Sequence, residues 1–245
     1  MRKYKSFTKN VLLQKIAPNV ILGVLALSIG VLCLSPNSNG ISTKGEQSQI
    51  YRSAGEDAKG VSLMFNVYMN TEAVYKILDI LKEFESKATF FIGGCWADDN
   101  VECLRAIFNA GHELGNHGYF HKDHSKLSFT ENQKEILTCN RFIELSVGVA
   151  PSLFAPPSGA YANATLSASE MLNMKTILWS KDTIDWRDHD VSKIYSRATK
   201  NVKIGDFVLM HPTTETAEAL DEILSYYNRL GIKAVTVSEN LQEIV

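Results

Sequence analysis

The chain is poor in the residues that would mark several function classes. Its 245 residues include 4 cysteines, 6 prolines and 3 tryptophans, and 25 basic side chains nearly cancel 27 acidic ones. Scarce cysteine excludes a disulfide-stapled scaffold. Cys33 lies in an apolar run, and the other three (Cys95, Cys103 and Cys139) are an odd set in which a Cys95–Cys103 bridge is allowed but not demanded. A formal net charge of −2 supplies no basic footprint, so nucleic acid is not an expected partner. No internal repeat or low-complexity tract is visible. What is present, 45% hydrophobic and 21% charged residues, suits one globular domain with a short extension.

That extension is N-terminal. Arg2, Lys3, Lys5, Lys9 and Lys15 precede an uncharged apolar run from Ala17 to Leu34, closed by Ser35-Pro36-Asn37. A basic flank before an apolar run reads as an export signal or signal anchor. At ~18 residues the run reaches the short end of membrane-spanning length. No small-x-small cleavage site follows it, which favours an uncleaved anchor in the cell membrane with the remainder outside. Cleavage would instead yield a secreted protein. The expected organisation is residues 1–35 as anchor or signal peptide, 36–58 as a polar linker, and 59–245 as the functional domain.

From Gly60 onward short apolar runs alternate with helical patterns. Strands are predicted at Val61–Val67, Ala88–Ile92, Glu113–His117, Leu153–Pro157, Lys175–Trp179, Phe207–His211 and Lys233–Val237. Helices are predicted at Glu72–Glu85, Glu131–Leu145, Val191–Val202 and Thr216–Leu230. Such alternation implies an α/β domain with a largely parallel sheet, open or closed into a barrel. Reactive groups in these folds gather at the C-terminal ends of strands. Asn66, His117, Pro156-Pro157, Asp182, Asp185 and His211 all fall at such ends, which points to one shared site.

The densest chemistry lies in Asn116-His117-Gly118-Tyr119-Phe120-His121, where two imidazoles four residues apart can clamp a metal. Further along stand Phe154-Ala155-Pro156-Pro157-Ser158-Gly159-Ala160-Tyr161, Asp182-Thr183-Ile184-Asp185-Trp186 and Leu209-Met210-His211. In this order and spacing the chain resembles the polysaccharide deacetylase (NodB-homology) family of carbohydrate esterases, over roughly Gly60 to Val245. The resemblance implies a distorted (β/α) barrel of about seven parallel strands, preceded here by the membrane segment. It implies removal of acetyl groups from peptidoglycan, chitin or a related acetylated glycan with a divalent metal, zinc or cobalt. By the same resemblance His117 and His121 are metal ligands, Tyr161 carries a backbone N–H that faces the reaction's oxyanion, and Pro156 belongs to a groove wall. Asp185 would buttress His211, the general acid that protonates the departing amine, a task suited to a group that titrates near neutral pH. Trp186 would wall the pocket. Tyr119, with Trp96 and Trp179, could stack on sugar rings.

The first motif departs from the family. Where it reads Thr-Phe-Asp-Asp, this chain has Met64-Phe65-Asn66-Val67. Asn66 stands at the position of the catalytic base, and an amide cannot hold a proton near pH 7. Val67 stands at the position of the third metal ligand and has no ligand atom. Ala155 replaces the arginine that pairs with the base. Losing both partners together is electrostatically consistent, because a retained arginine would be buried unpaired. Two explanations remain open. Asn66 could bind the metal through its amide oxygen while Asp182 or Asp123 acts as ligand or base. Alternatively, the protein is a catalytically silent relative that binds glycan or docks at the envelope. Retention of His117, His121, Asp185 and His211 favours the enzyme.

Overall fold

Alternating burial along the strands sets the architecture. In β2 (Ser62–Val67) the side chains of Leu63, Phe65 and Val67 join the core shared with the helices, whereas Met64 joins a second cluster on the opposite face. That second cluster also holds Phe91, Leu153, Ala155, Ile177, Phe207 and Val237. All but Val237, which begins the C-terminal helix, come from β3 (Thr89–Ile92), β5 (Leu153–Phe154) and its end, β6 (Lys175–Ile177) and β8 (Phe207–Met210). With β1 (Ile50–Tyr51), β4 (Glu113–Asn116) and β7 (Lys181–Asp182) they form one sheet of order β1-β6-β5-β4-β3-β2-β8-β7. Every pairing in it is parallel. Strands as distant in that order as β6 and β8 share one interior cluster, so the sheet is rolled into a half-barrel around it.

This computed structural model describes residues 49–242. The basic and apolar N-terminal segment lies outside them. Among the described residues no helix is long and apolar enough to cross a membrane.

Helices cover the outer face. They are α1 (Thr71–Glu83), α2 (Gly94–Asp99), α3 (Val101–Asn109), α4 (Phe129–Val147), α5 (Asn163–Met171), α6 (Asp185–Asp188), α7 (Val191–Thr199), α8 (Thr214–Arg229) and α9 (Val237–Asn240). Helix α1 starts where the Asn70 side chain accepts the Ala73 N–H, and it buries Val74, Ile77, Leu78 and Leu81 at helical spacing. Helix α4 opens on a Ser128/Glu131 capping box and stops at Gly148, whose φ of 82° is a left-handed conformation that favours glycine.

The sheet has eight strands where about seven were expected. Ile50–Tyr51, inside the stretch read as a linker, pairs with β6 as an edge strand. Lys181–Asp182 adds the other edge, and both are too short for a period to show in sequence. Lys233–Val237 is not a strand. Only Val61 and Ala234 bridge there, because Thr236 instead caps α9 by accepting the Glu239 N–H. Helices α2, α3 and α5 were not expected. The first is a single short helix, and α5 is rich in small and polar residues, so neither shows a wide apolar stripe. Cys95, Cys103 and Cys139 are all free thiols, so the permitted bridge does not form.

Candidate active site and metal centre

At the C-terminal ends of the strands lies a cavity of about 340 Å³. It is lined by Asn66 near the end of β2 and Tyr68 just beyond it, His117 and His121 beyond β4, and Ser158 beyond β5. Trp179 and Asp182 follow β6 and β7, Trp186 lies on α6, and Leu209 and His211 close β8.

One part of the wall is fully partnered. Asp185 is wholly buried, and its Oδ1 receives the His211 ring Nδ1–H at 2.8 Å and the Trp186 N–H at 2.8 Å. Its Oδ2 accepts the His211 backbone N–H at 2.6 Å and the Thr216 hydroxyl at 2.7 Å. Burial pushes the Asp185 carboxyl up, but hydrogen bonds from His211 and Thr216 outweigh it, and the group sits below the ordinary carboxylate range. Because a carboxylate only accepts, His211 Nδ1 carries the proton there, and Nε2 is the ring nitrogen left to exchange one with a ligand.

The histidine part of the wall is different. His117 Nδ1 donates to the Ala155 carbonyl at 2.7 Å, which fixes the tautomer and leaves Nε2 presenting its lone pair. That Nε2 is buried and has no hydrogen-bond partner. Burial pushes the imidazole well below its ordinary pKa, and His121 nearby adds to the effect, so it is neutral. His121, with ring centroid 5.1 Å from that of His117, is likewise lowered by burial. Asn66 is 2% exposed and its Oδ1 is the second orphaned acceptor in the cavity. An unpartnered buried acceptor costs about 1–3 kcal/mol, and two at one cavity call for a cation or a donor-rich ligand.

These atoms fit the divalent metal that the resemblance implies. A neutral imidazole whose other nitrogen donates to a backbone carbonyl is the usual form of a ligating histidine. The donors are then His117 Nε2, His121 and the Asn66 amide oxygen, all neutral. No group of three His, Cys, Asp or Glu side chains is placed to hold a metal ion among the described residues. Val67 cannot contribute, since strand alternation packs it into the helix-facing core. Asp123 does not contribute either: it stands on the loop after His121, where Ser125 and Lys126 hold its carboxylate. Asp182 is the one carboxylate among the lining residues. Burial raises its pKa, and its Oδ1 accepts the Ile184 N–H at 2.8 Å.

The structure thus gathers Asn66, His117, His121, Trp186 and His211 in one cavity, with Asp185 directly behind His211. Pro156, Tyr119, Tyr161 and Trp96 are outside the lining. Pro156 is buried beside the β5 end, where Ser158, held at φ 56°, reaches the cavity in its place. The Tyr161 hydroxyl accepts from Arg52 at 3.4 Å. Tyr119 folds against α2, where a Cβ on Gly94 would lie 2.2 Å from its ring, and its hydroxyl donates to Asp98. Trp96 is a core residue. Tyr68 was not anticipated. Its ring lies 4.3 Å from that of His121, 6.1 Å from His117 and 6.0 Å from His211, centroid to centroid. An aromatic directly after the altered first motif, at a strand's C-terminal end, was the signal available for it.

The family model for polysaccharide deacetylase matches residues 53–177. An uncharacterized protein of Bacillus subtilis, YlxY, is 37% identical over 187 residues, 76% of this chain and 59% of that one, so this chain spans under two thirds of that relative. A peptidoglycan-N-acetylglucosamine deacetylase of Bacillus cereus is 34% identical over 173 residues, 68% of this chain and 81% of that protein. Among solved structures, a CE4 family pseudoenzyme from Bacillus anthracis superposes with a TM-score of 0.77 at 34% identity, covering 79% of this chain and 69% of that one. A mutant described as a CE4 family pseudoenzyme with restored enzymatic activity has the same TM-score at 32% identity, with 79% and 71% covered.

Proposed function

Since the chain belongs to the polysaccharide deacetylase family, we propose that it is an exported, metal-dependent deacetylase of N-acetylated cell-wall glycan, peptidoglycan or a related polymer. The observation that carries this reading is the pair of orphaned acceptors, His117 Nε2 and Asn66 Oδ1, in the same cavity as the buried His211–Asp185 pair. The relatives named for peptidoglycan deacetylation support the substrate class. The basic and apolar N-terminus supports a membrane anchor with the domain outside.

The reaction adds water to an acetamide carbonyl and breaks the C–N bond, releasing acetate and an amine. His117, His121 and Asn66 would hold a divalent metal, which would supply Lewis acidity towards the acetamide carbonyl when bound. His211, its ring fixed by Asp185, gives a proton from Nε2 to the departing nitrogen. Asp182 is the carboxylate in the cavity able to take a proton from the attacking water, its raised pKa suiting that role. Trp186, 50% exposed, and Trp179 offer apolar faces to a sugar ring. Without a carboxylate at position 66 the rate falls by ~10²–10⁴-fold relative to a site with a positioned base.

The absence of that carboxylate also favours a second reading, a catalytically silent protein that binds the glycan in the same cavity. Acetate release from N-acetylglucosamine oligomers and peptidoglycan, with and without added Zn²⁺ or Co²⁺, separates the two. Slow, metal-dependent release that disappears in His211→Ala supports the enzyme. Peptidoglycan binding with no release under any metal supports the silent reading, and neither binding nor release removes both.

A further inference from the structure

His121 is held in an unfavourable backbone conformation, with φ at 52°. Left-handed geometry is sterically costly for a non-glycine residue, so the surroundings must impose it. The chain is fastened on either side of that residue by one buried carboxylate. Glu135 on α4 accepts the Phe120 N–H through Oε2 at 2.9 Å, and its Oε1 pairs with Lys122 Nζ at 2.8 Å. Lys122 also lies over the Phe120 ring, 5.1 Å from its centroid. Residues 120 and 122 are therefore tied to the same side chain and to each other, and His121 is the residue displayed between them.

Glu135 is one member of a polar stripe on a buried helix face. Asn132 bonds His124 Nδ1 at 2.7 Å through Oδ1, and its Nδ2 donates to the carbonyls of His124, Leu127 and Ser128. Next to Glu135 and about a turn beyond it, the Ile136 carbonyl and Asn140 Oδ1 accept from Asn116 Nδ2 at 2.8 and 2.6 Å. Asn116 in turn accepts the Gly118 N–H at 2.7 Å, where φ is 73° and a Cβ would lie 2.9 Å from His124 Nε2. Positions 132, 135, 136 and 140 recur at helical spacing on one face. Beside the apolar Ile136, Cys139 and Ile143 that it buries, this face uses Asn132, Glu135, Asn140 and the Ile136 carbonyl to satisfy the loop that carries both histidines, at its start, middle and end.

We propose that Glu135 is a positioning residue for His121: it imposes the left-handed turn that aims the imidazole at the cavity beside Tyr68 and His117. Helix α4 is thereby a splint for the histidine loop, and the geometry of the second imidazole depends on a carboxylate outside the cavity lining. The role of His121 as a metal ligand rests on the function proposed above, whereas the splint does not.

The test follows His121 without metal and then with it. In the full-length protein, the His121 ring protons lie next to the Tyr68 ring and carry its ring-current shift in NMR spectra. Glu135→Leu should return them towards random-coil values while His211 is unchanged. Glu135→Gln, which keeps an acceptor for the Phe120 N–H, should retain most of the shift. Titration with Co²⁺ should show affinity lower by at least tenfold in Glu135→Leu and by less than threefold in Glu135→Gln. Folded Glu135→Leu protein with His121 resonances of the natural protein would overturn the proposal. Should Glu135→Leu fail to fold, Lys122→Met decides the matter, since Lys122 is half-exposed and its loss leaves the carboxylate with one partner. Unchanged His121 resonances in that variant sink the splint. If the natural protein takes up no Co²⁺ although its His121 resonances respond as expected, the metal reading fails and the splint stands.

Discussion

The two ends of the barrel each hold a cavity with buried histidine and acidic groups nearby, and they differ in one respect that matters. At the N-terminal ends of β4 and β5 the space is the larger, about 520 Å³, lined by residues that include His112, Glu113, Ser152, Thr236 and Glu239. Its polar groups close on one another. Glu113 accepts from the Thr89 hydroxyl and the Ser238 N–H, Glu239 accepts from Thr236, and His112 Nδ1 takes the Ala88 N–H. At the C-terminal end the cavity is about 340 Å³, and there two buried acceptors have no partner. Unsatisfied polarity, and not volume, marks the functional end, because a buried acceptor that nothing in the chain satisfies is paid for only if a ligand completes it.

The sharpest way to break this contrast is to change the orphaned group. Asn66→Asp returns a side chain that can accept a proton, and acetate release should rise by ~10²–10⁴-fold. An unchanged rate under Zn²⁺ and Co²⁺ would show that position 66 is not where the reaction is limited. Next in size is the partnered wall of the same cavity. Asp185→Ala strips four hydrogen bonds from a buried pair and should lower unfolding free energy by about 3–5 kcal/mol, read by urea denaturation. A loss below about 1 kcal/mol would mean the pair is not held as described.

A third prediction concerns the opposite end. Burial, with Lys87 nearby, lowers the His112 pKa to about 4. A folded-state pKa below the unfolded value of about 6.5 means that His112 contributes stability in full above pH 6.5 and loses it as pH falls towards 4. The loss amounts to about 3 kcal/mol over that interval, and His112→Gln should flatten the corresponding slope in urea titrations at successive pH values. A slope unaltered by the substitution would assign the acid sensitivity elsewhere. The smallest effect is expected at the rim of the larger cavity. Val149→Ser, at a position 51% exposed, should shift stability by no more than about 0.5 kcal/mol and leave acetate release within twofold. A larger drop in activity would give that cavity a function.

Long elements were legible in the sequence because period and caps agreed over many residues: α1, α4, α7 and α8 and the strands β2, β3, β4 and β8 fall close to their expected spans. The two-residue edge strands β1 and β7 were not, since a pattern of period two cannot show in two residues. In the site, His117, His121, Asp185 and His211 were readable from motif order. Tyr68, Ser158 and Glu135 were not, because each acts through a contact between segments distant in sequence or through a local backbone twist. Tyr119 shows the converse. Its neighbours carry chemistry, yet the chain turns its side chain to α2.

By itself the sequence determined the family, the alternation of strand and helix, and the replacement of two carboxylates by Asn66 and Val67, because identity and order need no coordinates. Tertiary structure alone decided what that replacement means. Only the pleat of β2 shows that Asn66 faces the cavity while Val67 is spent in the core. Only the rolled sheet brings His117 and His211 to one wall, and only packing against α4 holds His121 in its left-handed turn. Burial and hydrogen-bond satisfaction are properties of groups that meet across the fold, and the order of residues does not contain them.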